Sequence, residues 1–130
     1  MNTNELMIGD IVYYEYDGER FPAKVLEIYL DSVFVEEIHG EYEPIEIELK
    51  DIYPISLTAE ILEKNFKKKT FYGIYDDYFD LDIREYSDGL YIVTYHSCEF
   101  NIPDQTIHLS WVHELQHFMR HCGIEESIEL

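Results

Sequence analysis

Positive charge is scarce in this sequence, which has nine lysine and arginine residues against twenty-eight aspartate and glutamate residues. The formal net charge of −19 is spread along the chain, with −11 over residues 1–56 and −8 over residues 57–130. The only basic run is Lys67-Lys68-Lys69. Because proteins bind nucleic acids by neutralising phosphates with lysine and arginine, we expect no direct nucleic-acid binding. The acidity indicates a well-hydrated surface or, alternatively, one that contacts a basic protein or imitates DNA.

Long apolar runs and paired cysteines are missing as well. No stretch approaches the roughly 18 apolar residues that a membrane-spanning helix needs, and Met1 to Gly9 has no features of a secretory signal. Cys98 and Cys122 stand apart without a Cys-x-x-Cys pair, which is typical of free thiols, although a disulfide between them remains open. We therefore expect a cytoplasmic protein with no membrane partner.

The apolar content indicates a globular chain. Hydrophobic residues make up 46% and aromatic residues 15% of its 130 residues, more than a disordered protein carries. Over residues 1–56, short β-type segments alternate with turn signals such as Asp17-Gly18, and Ile45, Ile47 and Leu49 alternate with polar residues. This part is predicted to be a small antiparallel β barrel or meander, with its first strand opening at Ile8.

The second part, residues 57–130, is predicted to contain two helices and a β meander. Thr58 is placed to cap a helix from Ala59 to about Phe66, and the lysine run would then stabilise its C-terminal end. Alternating residues from Phe79 to Arg84, a turn at Ser87-Asp88-Gly89 and a return strand over 90–95 follow. We expect these strands to pack on a last helix, capped by Ser110 and ended by Gly123, with a final short strand over 124–130.

Three segments carry a family resemblance: Glu5-Leu-Met-Ile-Gly-Asp-Ile-Val, Pro54-Ile-Ser-Leu-Thr-Ala-Glu-Ile-Leu-Glu-Lys and Val112-His-Glu-Leu-Gln. In this order they resemble a group of small uncharacterised proteins of Bacteroides and its relatives, often found in prophages and mobile elements. The opening segment also resembles SH3-like barrels. The resemblance implies a bacterial cytoplasmic origin, an SH3-like fold for residues 1–56 and no assigned activity.

His113-Glu114-Leu-Gln-His117 matches the H-E-x-x-H pattern, in which two histidines bind zinc and the glutamate activates water. His121, Glu125, Glu126 and Glu129 are the candidates for the third protein ligand that such a site requires. At about 100° per residue, however, the three histidines fall on one side of the helix and the apolar residues on the other. We therefore expect His113, His117 and His121 to form a solvated polar face, with no metal.

An aromatic and acidic cluster is the second candidate site, because tyrosine is favoured in protein interfaces. Its members are Tyr72, Tyr75, Asp76, Asp77 and Tyr78, to which Tyr13, Tyr14 and Tyr16 could add.

The sequence thus predicts an α+β fold with an SH3-like N-terminal β subdomain, a connecting helix and a β meander packed on a C-terminal helix. The expected function is that of a non-enzymatic accessory protein of a mobile element or prophage that binds another protein. The alternatives are a zinc-dependent hydrolase using His113, Glu114 and His117, and an acidic DNA mimic.

Overall fold

The computed structural model describes residues 1, 5–40, 42–99, 101–125 and 127–130. Over these residues the chain forms ten β-strands and two α-helices. This mixed α+β content confirms the predicted fold class. The chain divides into two compact units, Met1–Ile55 and Ser56–Leu130, and each contains one antiparallel five-stranded sheet.

The sheet of the first unit is curled into half a barrel. Its strands are β1 (Ile11–Tyr16), β2 (Glu19–Ile28), β3 (Ser32–Glu37), β4 (Ile45–Glu48) and β5 (Ile52–Tyr53). They are hydrogen-bonded in the order β4-β3-β2-β1-β5, and a 3₁₀ turn at Leu49–Asp51 connects β4 to β5.

One face of this sheet, called here the inner face, supplies the core of the unit. Successive strand residues point to opposite faces, so the alternating apolar residues of β1 to β4 gather on one side. The buried members of this cluster are Leu6, Val12, Tyr14, Ala23, Val25, Val33, Val35, Ile47 and Ile52.

The turn between β1 and β2 has the conformation that its two residues predict. Asp17 and Gly18 both have positive φ angles, 53° and 79°, and Tyr16 pairs directly with Glu19 across the hairpin. A two-residue loop with both φ angles positive matches the right-handed twist of the strands, and Asp-Gly adopts it readily. The predicted hairpin is confirmed.

The first strand begins later than predicted. Ile8 and Gly9 form a turn, and β1 starts at Ile11. The Asp10 carboxylate, which is fully buried, accepts a hydrogen bond from the Met7 backbone N–H at 2.8 Å. The predicted start at Ile8 was wrong because this side chain folds the preceding residues back in a turn, as aspartate commonly does.

The second unit contains a sheet in which each strand pairs with its neighbour in sequence, in the order β10-β9-β8-β7-β6. It also contains two α-helices. The elements are α1 (Ala59–Asn65), β6 (Lys67–Lys68), β7 (Tyr72–Tyr75), β8 (Phe79–Ser87), β9 (Leu90–Ser97), β10 (Gln105–Leu109) and α2 (Val112–His121).

Helix α1 begins as predicted and ends earlier. The Thr58 side chain accepts a hydrogen bond from the Ile61 backbone N–H at 3.3 Å, which confirms the N-cap. Phe66 is already extended, with φ −129° and ψ 152°, and Lys67 pairs with Gly73. The prediction that the lysine run caps this helix was wrong, because Lys67 and Lys68 form the edge strand β6.

Helix α2 is capped by a different residue from the one predicted. Its N-cap is Trp111, and Ser110 lies one residue before it. The predicted Ser110 cap was wrong because Ser110 lies before the helix, where its carbonyl accepts a hydrogen bond from the Leu57 N–H at 2.9 Å. Gly123, with φ 78°, ends the helix as predicted; its N–H donates to the Arg120 carbonyl and that of Ile124 to Met119.

The C-terminal tail docks through a side chain rather than as a strand. No strand is found over residues 124, 125 and 127–130, so the predicted short strand was wrong for this described part. The Asn65 amide donates to the Glu129 carbonyl and accepts from the Glu129 N–H, both at 2.6 Å. The Asn65 side chain thus makes the two hydrogen bonds with the Glu129 backbone that a neighbouring strand would otherwise make. Two apolar side chains of the tail, Ile124 and Ile128, are buried.

Candidate functional site

The H-E-x-x-H segment lies at the start of α2, and its first histidine is buried. His113 is only 5% exposed, His117 is half-buried and His121 is exposed. The predicted solvated face of three histidines was therefore wrong for His113. Six of the ten residues of α2 are buried. They include His113 and Gln116 in addition to the apolar side chains that a rotation of about 100° per residue places on one side.

Glu114 has a structural role at the beginning of α2. One of its carboxylate oxygens accepts hydrogen bonds from the backbone N–H groups of Ser110 at 3.1 Å and Trp111 at 3.2 Å. The first turn of a helix has N–H groups without helical partners, and a carboxylate there also interacts favourably with the helix dipole. A glutamate that activates zinc-bound water has to be directed at that water, whereas this one is directed at its own backbone.

The described residues around the motif do not assemble a zinc site. The rings of His113 and His117 lie 5.6 Å apart, edge to face. Among the described residues, no group of three or more His, Cys, Asp or Glu side chains is placed to hold a metal ion. Of the proposed third ligands, Glu126 lies outside the described residues. Glu114, His117 and His121 border a depression of about 450 Å³ whose lining does not include His113.

The predicted tyrosine cluster is divided between the two faces of β7. Tyr72 and Tyr75 are three residues apart in a strand and therefore point to opposite faces. The Tyr72 hydroxyl donates to Glu63 in α1 at 3.1 Å. The Tyr75 hydroxyl lies 2.8 Å from the Asp82 carboxylate, and burial followed by this hydrogen bond raises the pKa of Tyr75 to about 12.

The acidic part of that cluster forms the turn between β7 and β8. The Asp76 carboxylate accepts hydrogen bonds from the Tyr78 N–H at 2.7 Å and the Phe79 N–H at 3.1 Å, so it holds the turn together. Asp77 is exposed, and Tyr78 is 78% exposed. Tyr13, Tyr14 and Tyr16 belong to the first unit.

A different site is found at the inner face of the first unit, and we call it the acidic groove. It has a volume of about 590 Å³. Tyr14 pairs with Phe21 and Tyr16 with Glu19 across the β1–β2 hairpin, which places these side chains on one face. The described lining residues are Tyr14, Tyr16, Glu19, Phe21, Val35, Glu37, Tyr42, Glu43 and Ile45.

The floor of the acidic groove continues the core, and its rim is exposed. Tyr14 and Val35 are 6% and 1% exposed, and the Tyr14 and Phe21 rings lie 5.3 Å apart at a tilt of 31°. Tyr16 and Tyr42 are 66% and 79% exposed. The sheet thus presents fixed aromatic rings at the bottom and two aromatic side chains that solvent can reach at the edge.

The charge of the acidic groove has one sign. Glu19, Glu37 and Glu43 are among its lining residues, and the lining residues that the structure describes include no lysine, arginine or histidine. The Tyr14 hydroxyl donates to Glu37 at 3.5 Å, and burial, followed by the Glu37 charge, raises the pKa of Tyr14. Tyr14 therefore stays protonated at neutral pH, and its hydroxyl helps to orient the Glu37 carboxylate.

The basic residues of the first unit lie elsewhere. Arg20 and Lys24 alternate with Glu19, Phe21 and Ala23 along β2 and so point to the opposite face. The Arg20 guanidinium lies 3.8 Å from the centre of the Tyr53 ring, and its Nε is 3.9 Å from Glu15. Lys50 pairs with Glu48 at 3.3 Å. No cation of the described part of this unit balances the groove from within.

Sequence reasoning named Tyr14 and Tyr16 but missed the groove. Its signal was present in the hairpin, where Tyr14, Tyr16, Glu19 and Phe21 are placed symmetrically about the Asp17-Gly18 turn. The other lining residues come from β3, β4 and the loop before β4. Their positions depend on the pairing of segments that are distant in sequence, which the residues of the hairpin do not predict.

Comparison with protein-family models, curated proteins and solved structures finds no match to this chain. The resemblances inferred from its motifs therefore remain predictions, and the function has to be argued from its own residues. Among the residues that the structure describes, none of the helices combines the length and the apolar character required to cross a membrane.

Proposed function

We propose that this protein is a non-enzymatic interaction protein that binds another protein through the acidic groove. The observation that carries the proposal is the combination of an aromatic floor, formed by the buried Tyr14 and the half-buried Phe21, with exposed aromatic side chains at the rim, Tyr16 and Tyr42. Exposed aromatic residues beside a concave apolar surface are characteristic of protein contact sites. An SH3-like classification of this unit is supported by its curled five-stranded sheet.

The cellular setting belongs to the same proposal. A role in a bacterial mobile element or prophage rests on the family resemblance of the three sequence segments. A cytoplasmic location is supported by Cys98 and Cys122, which are both free thiols, because disulfides are rare in that compartment.

Contact is favoured over catalysis by the composition of the groove. The lining residues placed by the structure are tyrosine, phenylalanine, valine, isoleucine and glutamate. The nucleophile of covalent catalysis is most often a serine, cysteine, threonine or lysine, and the described lining includes none of these residue types. The H-E-x-x-H segment adds no support for zinc-dependent hydrolysis, because Glu114 caps its own helix and His113 is buried.

The rim can supply a useful part of the binding free energy. A tyrosine side chain offers roughly 150 Å² or more to bury, and apolar burial is worth about 25 cal/mol per Å². Because Tyr16 and Tyr42 are 66% and 79% exposed, covering them would bury about two thirds to four fifths of that area and contribute roughly 3 kcal/mol each before the entropy of association is subtracted. Aromatic contacts of this kind are often the dominant ones in an interface.

The proposal is tested by affinity capture from lysate of the cells that encode the protein, with quantitative mass spectrometry. The groove variant is Tyr16→Ala/Tyr42→Ala. The control is Tyr78→Ala/Tyr86→Ala, which removes two tyrosines of comparable exposure, 78% and 66%, from the second unit. We expect a partner retained by the wild type and the control and lost by the groove variant.

The control also examines the surface first predicted from the sequence, because Tyr78 belongs to it. Loss of the partner with Tyr78→Ala/Tyr86→Ala alone would place the contact on the second unit and refute the groove. Retention by both variants would refute a role for either surface. Circular dichroism of all variants confirms that a lost partner does not reflect unfolding.

A further inference from the structure

We infer that the acidic groove accepts a lysine or arginine side chain from a positively charged segment of the partner protein. This inference rests on the proposed function and adds the chemistry of what is bound. Three properties of the groove support it: its charge, its hydrogen-bonding groups and its aromatic rings.

The charge of the groove selects for a cation. Glu19, Glu37 and Glu43 contribute three carboxylates to one concave surface, in a unit whose residues 1–55 carry a net charge of −11. The basic residues Arg20 and Lys24 point away from it, to the other face of β2. Carboxylates along low-dielectric walls concentrate the negative potential inside a cleft, so a positive side chain is attracted and an acidic one repelled.

The hydrogen-bonding groups of the groove side chains are almost all acceptors. A carboxylate accepts and does not donate, whereas lysine and arginine side chains donate and do not accept. Among the lining side chains the donors are tyrosine hydroxyls, and that of Tyr14 already donates to Glu37. The donor-only side chains of a basic segment therefore complement this lining, while a carboxylate or phosphate would find few donors.

The aromatic rings supply the second half of cation recognition. A cation over the face of a tyrosine ring is attracted by the ring quadrupole, and the aliphatic stem of lysine or arginine packs against apolar surface. The chain uses this contact elsewhere: Arg20 lies 3.8 Å from the Tyr53 ring centre and Lys69 lies 4.5 Å from that of Tyr75. In the groove, Tyr14, Tyr16, Phe21 and Tyr42 have no such cation of their own among the described residues.

The experiment compares two labelled dodecapeptides by fluorescence anisotropy at physiological salt. One alternates arginine with leucine, and the other replaces each arginine by citrulline, which has nearly the same shape and no charge. Because charge-assisted and cation–π contacts are lost together, we expect the arginine peptide to bind about tenfold more tightly or better. Equal binding of the two peptides would overturn the inference.

Matched protein variants separate the groove from general acidity. Glu37→Gln/Glu43→Gln removes two charges from the groove, and Glu36→Gln/Glu46→Gln removes two exposed charges from the other face of β3 and β4. Both variants have the same net charge. We expect the first variant to bind the arginine peptide about tenfold more weakly than the wild type and the second less than about twofold more weakly. An equal loss in both variants would show diffuse attraction and overturn the inference.

The outcomes also distinguish this inference from the proposed function. If partner capture depends on Tyr16 and Tyr42 while the arginine peptide neither binds nor displaces the partner, the cationic chemistry is wrong and the interaction function stands. If the arginine peptide binds in the groove and no partner is captured, the interaction function fails. Concentration-dependent self-association in sedimentation, abolished by replacing Lys67, Lys68 and Lys69 with glutamine, would show that a second copy occupies the groove and would overturn the inference.

Discussion

The stability of helix α2 provides a direct test of how its first turns are used. Three single substitutions place alanine in the same helix: Leu115→Ala, His113→Ala and His117→Ala. Their side chains are fully buried, 5% exposed and half-buried, respectively. Because the replacement is always alanine, differences in helix propensity are small and the order of destabilisation reports mainly on packing.

The expected magnitudes follow from burial. Leu115→Ala empties a site with no solvent access and should cost about 2–5 kcal/mol of unfolding free energy. His113→Ala removes a buried polar side chain and should cost roughly 1–3 kcal/mol, and His117→Ala about 1 kcal/mol or less. For a unit of this size, 1 kcal/mol shifts the melting temperature by roughly 4–8 °C, so the first two effects are easily resolved.

Thermal melts by circular dichroism, recorded with and without EDTA, measure these effects. We expect the order Leu115→Ala, His113→Ala, His117→Ala, with no response of the wild type to chelator. If zinc were held by His113 and His117, it would stabilise the wild type according to its concentration relative to its Kd, and either histidine substitution would abolish that increment. A wild-type melting temperature that falls with EDTA, in contrast to that of His117→Ala, would refute the structural interpretation.

Three further results are expected in the second unit. Asn65→Ala should cost about 1–3 kcal/mol, measured by urea unfolding, because the amide loses both bonds to Glu129, and the Glu129 amide should then exchange faster with solvent; unchanged exchange would contradict the docking of the tail. The hydrogen bond to Asp104 raises the pKa of His96 above its usual 6.5. The contact therefore stabilises the folded state below that pH, and this stabilisation is lost as the pH rises through the raised pKa. NMR titration should show a lower His96 pKa in Asp104→Asn. Gly73→Ala should destabilise the sheet in thermal melts, because its Cβ would lie 1.8 Å from the Leu81 carbonyl oxygen; a neutral effect would contradict the close approach of β7 and β8.

Local chemistry was the predictable part of this fold. Asp17-Gly18 makes its turn, Thr58 caps its helix and Gly123 ends one, because each conformation depends on residues within four positions of it. The errors have a different origin. Lys67 and Lys68 have high helix propensity, yet they pair with β7, and such pairing overrides propensity whenever the tertiary partner is in place.

Contacts made by residues outside the helical pattern explain the errors around α2. Ser110 is a good N-cap residue by type, but its carbonyl accepts a hydrogen bond from the Leu57 N–H and the helix begins one residue later, with Trp111 as its N-cap. His113 is polar and was assigned to solvent, but the buried arc of α2 is wider than its apolar residues alone require. A single sequence indicates which residues can be buried and does not indicate how many sides of a helix are covered.

The acidic groove shows the same limit for electrostatics, and consecutive residues of β3 make the reason clear. Glu36 and Glu37 are identical in type and adjacent in sequence, yet they point to opposite faces of the sheet. Glu36 pairs with Lys24 across the strands, whereas Glu37 lines the groove and accepts from Tyr14. Counting charges treats these two residues as equal. If binding depends on which face of the sheet carries the charge, Glu37→Gln will weaken the binding of a cationic ligand and Glu36→Gln will not, although both change the net charge by the same amount.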